Sequence, residues 1–361
     1  MEKYIPLLVL TTLFSCTNAS KYYTMADYAK VDKIDTHIHV SADRDIFVKK
    51  ARNDNFQLLN ILVDNTRGRE DILARYAKKK ALKKEYPQDF EYATTFSIKE
   101  WDEPDWASQT VNWLDKNIQD GAIAVKVWKN IGMVFKDSTG RLIMVDDPKL
   151  DTIFNFLAER KIPVLGHLGE PRNCWLPLDK MTVENDKIYY GKFPEYHMYK
   201  HPTMPSYEEQ IAARDRMLEK NPDLIFVGVH LGSMSWSVDE VAKHLDRFPN
   251  MAVDIAARIG QLFYQTITDR EKVRDFFIKY QDRILYGTDL GDDGKQTSEE
   301  ISESMQSEWI TDWRFFVTDD VMTNSRVKQE FRGLKLPKEV VDKLYYKNAK
   351  KWLKMFPEEN H

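Results

Sequence analysis

The chain has 361 residues, enough for one large α/β barrel or two ordinary domains, and 42% hydrophobic residues with 12% aromatics supply a sizeable core. A formal net charge of −4 gives no general attraction to nucleic acid or to anionic membrane surfaces, so no nucleic-acid partner is expected.

The amino terminus reads as a leader. Glu2 and Lys3 precede an apolar run from Tyr4 to Phe14, too short to span a bilayer comfortably and of the length of a signal-peptide core. It ends in Leu13-Phe14-Ser15-Cys16, which resembles a bacterial lipobox, so residues 1–16 are expected to be a signal peptide and Cys16 a lipid-carrying terminus. That resemblance implies an exported protein, periplasmic or at the cell surface, tied to the membrane only through this anchor. Cys174 is then left without an intramolecular partner. Residues 17–29 read as a tether and 30–361 as one domain, with assembly as a homodimer left open.

From residue 33 short β-branched runs alternate with amphipathic segments. Strand candidates are residues 33–40, 57–63, 90–96, 122–128, 162–167, 224–230, 251–255 and 283–289. Helical patterns fall at 69–85, 104–118, 149–160, 207–220, 238–247, 269–280 and 338–355, and only the gap 41–56 reads weakly. Eight such repeats predict an α/β fold, a closed (β/α)₈ TIM barrel; a doubly wound sheet would more often carry a Gly-rich loop after its first strand. The basic run Lys78–Glu85 reads as a solvated helix face. Two long connections, 171–206 with Trp175 and several tyrosines and 291–337 with early acidic residues, are expected to form lids and substrate walls.

Strand alternation then sorts the polar residues. In the first strand Ile34, Thr36, Ile38 and Val40 share one face, with Asp35, His37 and His39 on the other. The same spacing groups His167 with Leu165, His230 with Gly228 and Phe226, and Asp289 with Gly287 and Leu285. Each polar residue sits near the carboxyl end of its strand, where barrel enzymes keep their chemistry. Four imidazoles and a carboxylate aimed at one interior suit Zn²⁺ or a similar divalent cation, one or two per chain, with a coordination position left for water. His197, His201, His244 and His361 read as ordinary surface residues.

These residues resemble the amidohydrolase superfamily, in particular its amidohydrolase-related branch of metal-dependent barrel hydrolases and decarboxylases. The matching pieces are Asp35-Thr36-His37-Ile38-His39, Val164-Leu165-Gly166-His167, Val227-Gly228-Val229-His230-Leu231-Gly232, Tyr286-Gly287-Thr288-Asp289 and Tyr346-Lys347-Asn348-Ala349. The resemblance implies metal ligation by His37, His39, His167 and Asp289, and a second-metal or catalytic role for His230, holding or polarising a substrate carbonyl. It also implies that Asp289 passes a proton from water to the leaving group. Lys126, inward between Val125 and Val127, is the further catalytic candidate; in binuclear members such a lysine is carboxylated, whereas one metal is commoner in this branch. Lys129 falls on the other face.

Arg44, Arg172 and Arg258, just past strands one, five and seven, could each clamp a substrate carboxylate, with Trp175 beside them. The expected function is metal-dependent hydrolysis of an ester, lactone or amide of a small substrate. Non-oxidative decarboxylation of an unsaturated or aromatic acid is the enzymatic alternative, and a non-catalytic metal- or ligand-binding lipoprotein the other.

Overall fold

Apart from a short antiparallel pair, Val321–Met322 with Phe331–Arg332, the strands of the computed structural model, which describes residues 20–64 and 69–356, run parallel in one sheet. They are β1 (Lys33–Val40), β2 (Phe56–Ile61), β3 (Phe90–Thr94), β4 (Ala124–Val127), β5 (Val164–Gly166), β6 (Phe226–Gly228), β7 (Met251–Asp254), β8 (Ile284–Leu285) and β9 (Leu290–Asp292), in the order β8-β7-β6-β5-β4-β3-β2-β1-β9. β9 resumes the line of β8 and pairs with β1 through Ile38↔Leu290 and Val40↔Asp292. Between them Thr36 N donates to Tyr286 O at 3.0 Å and Asp289 N to His37 O at 2.8 Å, so the first and last strands join and the barrel closes as expected.

Two layers of apolar side chains hold it. The outward residues of the strands pack beneath the helices, while Ile34, Leu59, Ala93, Leu165, Val227, Ala252 and Leu285 fill the barrel's interior and meet Ala349, Leu353 and Met355 from the closing segment. That segment is pinned by buried Asn348, whose Nδ2 donates to Gln281 O and Ile284 O at 2.7 Å each.

Several expectations are corrected here. The weak gap after β1 holds a helix, α1 (Ile46–Asn53), and the connection 291–337 contains the helix Ser298–Val317, packed on the barrel wall, while its start brings Asp293 and Lys295 to the main cavity. Trp309 of that helix stacks on Phe56 with ring centroids 4.1 Å apart. The tether reading fails for residues 20–29: Tyr28 is buried, Tyr23 Oη donates to Asp342 Oδ1 at 2.8 Å, and Tyr22 bridges to Pro337. The leader, Cys16 and His361 lie outside the described residues. No helix among the described residues is long and apolar enough to cross a membrane.

Face assignments change in two strands. β1 shifts register against β2 between Asp35 and Ile38, so Ile34 points into the barrel, Asp35 points out, and His37 and His39 point in again. In β6 it is Val227 that faces the interior and Phe226 the helices. His230 reaches the mouth because the chain leaves β6 through a left-handed turn, with φ of 60° at His230 and 56° at Leu231.

Outward Asp35 ties the closure together. Its Oδ2 accepts Thr288 Oγ1 at 2.6 Å and Trp309 Nε1 at 3.2 Å, and its Oδ1 accepts the backbone N–H of His37 and of Thr288 at 3.1 Å each. Asp35→Ala would leave these donors buried without partners, and each such loss costs about 1–3 kcal/mol. The variant is expected to melt well below the parent in a thermal scan; an unchanged melting temperature would show that the closure does not rely on Asp35.

Candidate metal centre

The end of β1 brings two imidazoles against Asp289 in a defined electronic state. His37 Nδ1 lies 2.8 Å from Asp254 Oδ2 and His39 Nδ1 lies 2.9 Å from the carbonyl of Ile61. A carbonyl can only accept, and a carboxylate beside an imidazole accepts, so both rings carry their proton on Nδ1. Their Nε2 atoms are thus bare, yet they face each other at 3.2 Å, with Asp289 Oδ1 at 3.5 Å from His37 Nε2 and 3.1 Å from His39 Nε2.

Three lone-pair donors converging in this way repel unless a positive charge sits among them, and a divalent cation answers the need. The residues present therefore fit a metal: among the described residues two groups have mutually close donor atoms, His37 with His230 and Asp254, and His37 with His39 and Asp289, and only the second includes two bare Nε2 atoms beside a carboxylate. Burial alone would raise the Asp289 carboxyl, but His39, His37 and His230 around it hold it well below the usual carboxylate range. Burial pushes the imidazolium form of His37 down, and Lys126 adds to this.

Not every expected ligand joins the group. His167 stands outside it: its ring meets the edge of His230 at 4.3 Å between centroids, and its Nε2, buried without a hydrogen-bond partner, faces Glu170 Oε2 at 3.6 Å. Burial lowers its pKa to about 3, so it is a neutral imidazole. His230 stacks on His37 with centroids 4.9 Å apart and directs Nδ1 at Ala256 O, 2.7 Å away. Burial, with His167 beside it, keeps it neutral, which leaves Nε2 able only to accept.

Lys126 points inward as expected. Its Nζ is 3.4 Å from His37 Nε2, and burial pushes its pKa down to about 8 against the pull of Asp254 and Asp289.

A cavity of about 580 Å³ opens above these residues. Of the expected substrate clamps, Arg44 and Arg172 lie apart from this cluster. Arg44 makes a two-pronged bond to Asp292, both contacts 2.7 Å, which fastens the end of β9. Arg172 lies over the Trp236 ring at 4.7 Å in a separate cleft, and Trp175 packs edge-on to Tyr207 while donating to Pro205 O at 3.1 Å. Arg258 is buried between Glu170 Oε2, at 3.1 Å, and Asp186 Oδ1, at 3.8 Å, its Nε has no hydrogen-bond partner, and it lines a smaller cavity together with His230 and Asp289. His197, expected at the surface, is buried with Nε2 2.8 Å from Leu176 O.

Sequence reasoning missed Glu170 and set Lys129 aside on the other face, whereas Tyr189 belongs to the connection expected to wall the site. Lys129 Nζ, just past β4, bonds to buried Glu170 and to Tyr189 Oη and lies 4.1 Å over the Tyr196 ring. Burial would raise Glu170, but Lys129, His167 and Arg258 hold it well below its ordinary value. The signal was an acid three residues beyond an inward histidine, in a loop that follows a strand. It also missed Arg75 and Lys79 of helix α2 (Arg69–Glu85), which line the main cavity. They repeat with buried Ile72 and Tyr76 at helical spacing, on the inner side of the run that reads as solvated.

Comparisons with known proteins agree with this geometry. The search of curated proteins finds no match. Among solved structures, an amidohydrolase II matches with 16% identity and a TM-score of 0.51, over 90% of this chain and 100% of that one. A 2,6-dihydroxybenzoate decarboxylase from Rhizobium matches with 13% identity and a TM-score of 0.52, over 90% and 99%. At such identities the likeness is one of fold. The family model described as amidohydrolase matches residues 131–355, a stretch that holds His167, His230, Asp289 and the closing segment. With most of the barrel inside that match and the paired histidines of β1 completing its mouth, this chain belongs to the amidohydrolase family.

Proposed function

We propose that this chain is a metal-dependent hydrolase that directs water at an ester, lactone or amide of a small carboxylated substrate. The observation that supports it most is the convergence of His37 Nε2, His39 Nε2 and Asp289 Oδ1 below a cavity open to small molecules. These three residues would hold the cation, and an imidazole and carboxylate set suits Zn²⁺. A bound divalent cation supplies positive charge that makes a nearby water more acidic.

The protein's own groups account for the proton traffic. Asp289 is ionised and reaches the cavity, so it can accept the proton of the attacking water and return it to the leaving group. His230 Nε2, an acceptor, orients the water or a substrate hydroxyl. Lys126, a donor when protonated, stands where a carbonyl oxygen can be polarised.

Decarboxylation, the reaction named for the Rhizobium structure, is the second reading, and the cationic lining of the cavity would receive its carboxylate. The lipid anchor at Cys16 and an exported location belong to the same proposal.

Chelation is expected to abolish turnover and lower the melting temperature, with Zn²⁺ restoring both and metal analysis finding one equivalent per chain. Two equivalents, or a carboxylated Lys126, would overturn the single-metal reading. Asp289→Asn should retain the fold and much of the metal but lower kcat by about 10²–10⁴-fold. Full activity in that variant would remove Asp289 from the mechanism. Across panels of lactones, esters, N-acyl compounds and aromatic acids, released acid supports hydrolysis and released CO₂ the alternative. Cys16→Ser should move the expressed protein from the membrane to the soluble fraction; unchanged membrane association would dismiss the anchor.

A further inference from the structure

The cations lining the main cavity do not balance. Lys129 is answered by Glu170, Lys295 by Asp293, and Lys126 faces the His37 and Asp289 cluster. Arg75 Nη2 is held by Asp71 Oδ2 at 2.6 Å and by the carbonyl of Val63 at 2.7 Å. Its Nε, however, is buried with no hydrogen-bond partner. One helical turn further along α2, Lys79 is only 2% exposed, lines the same cavity, and among the described residues has no carboxylate within ion-pair distance. Burial, with Arg75 and Lys78 nearby, pushes its pKa down to about 7.

A buried ammonium is expensive unless something answers it. Positions i and i+4 of a helix are neighbours, so Lys79 Nζ and Arg75 Nε offer adjacent donors of the kind that binds an oxyanion. Nothing in the proposed reaction at His37, His39 and Asp289 uses them.

We propose that Lys79 and Arg75 of α2 anchor a second acidic group of the substrate, so that the protein acts on a dianionic compound, a dicarboxylate, whose reacting end lies at the His37, His39 and Asp289 cluster. The inference rests on the hydrolase reading for its reacting end, while the anchor itself is a binding site that can be read without turnover. An occupied anchor gives Lys79 the counter-charge that the protein does not supply.

The test is isothermal titration of the metal-loaded full chain with the α,ω-dicarboxylates from succinate to suberate and with the matching monocarboxylates. At least one dicarboxylate is expected to bind about tenfold or more tightly than its monocarboxylate, the scale of a hydrogen bond to a charged group. Lys79→Met should erase that ratio while leaving monocarboxylate affinity unchanged, Lys79→Arg should keep it, and Arg75→Lys, which removes Nε, should reduce it. Equal affinity across the series, or a ratio that survives Lys79→Met, would overturn the proposal. Inorganic phosphate binding as tightly as the best dicarboxylate, with the same dependence on Lys79, would also overturn it by showing a free-anion site. Because binding is measured, a protein that prefers dicarboxylates yet hydrolyses nothing would count against the reaction and leave the anchor standing.

Discussion

Asp254 Oδ2 accepts the Nδ1–H of His37 at 2.8 Å while its Oδ1 accepts the backbone N–H of His230 at 2.6 Å and of Ala256 at 3.2 Å. One buried carboxylate at the end of β7 thereby fixes the tautomer of a ring on β1 and the path of the chain leaving β6. Without the first bond His37 would be free to place its proton on Nε2, and the convergence of bare donors on which a cation depends would be lost. Without the second, the left-handed backbone at His230 and Leu231 would lack the partner that repays its strain. The site therefore rests on a residue that belongs to neither close donor pair at Asp289.

A second carboxylate organises the opposite wall. Glu170 lies between Lys129 and Arg258, and Arg258 in turn faces Asp186 from the helix Glu184–Lys192. Asp186 Oδ2 also accepts from Asn173 and Gln261, both at 2.8 Å. Strand ends β4, β5 and β7 and the long segment after β5 are thus joined by one alternating chain of charges. Its two inner members, Glu170 and Arg258, are compensated on both sides, the condition under which buried ions stop being a liability. A segment tied down this way forms a wall of the cavity, and its tyrosines close over Lys129.

Much of the architecture was legible because it depends on period and order. The alternation of short β-branched runs with amphipathic segments gave the barrel, and the inward placement of Lys126 followed from two-residue alternation in β4. Where the backbone departs from that period, the reading failed. The register shift in β1 turns Asp35 outward although it shares parity with His37, and the left-handed turn after β6 delivers His230 although Val227 owns the inward face. The substrate arginines were chosen for lying just past strand ends, but position along a chain does not say whether a guanidinium meets a ligand or a protein carboxylate. Arg44 and Arg258 met Asp292 and Glu170.

Buried lysines show most clearly why identity and burial together do not define a role. Lys33 is fully buried, and its pKa is pushed down to about 8 by burial. Yet its Nζ donates to Tyr28 O at 2.5 Å and Val31 O at 2.6 Å and lies 4.7 Å over the Tyr28 ring and 4.9 Å over Phe56. Carbonyl dipoles and ring faces replace its water, and the residue serves to fasten the segment before β1. Lys79 has burial of the same degree and, among the described residues, no such shell, but it opens on a cavity. What separates the two is the inventory of acceptors around the ammonium. A cation whose acceptors are all protein is part of the fold, and one that faces a cavity instead has room for an acceptor from outside it.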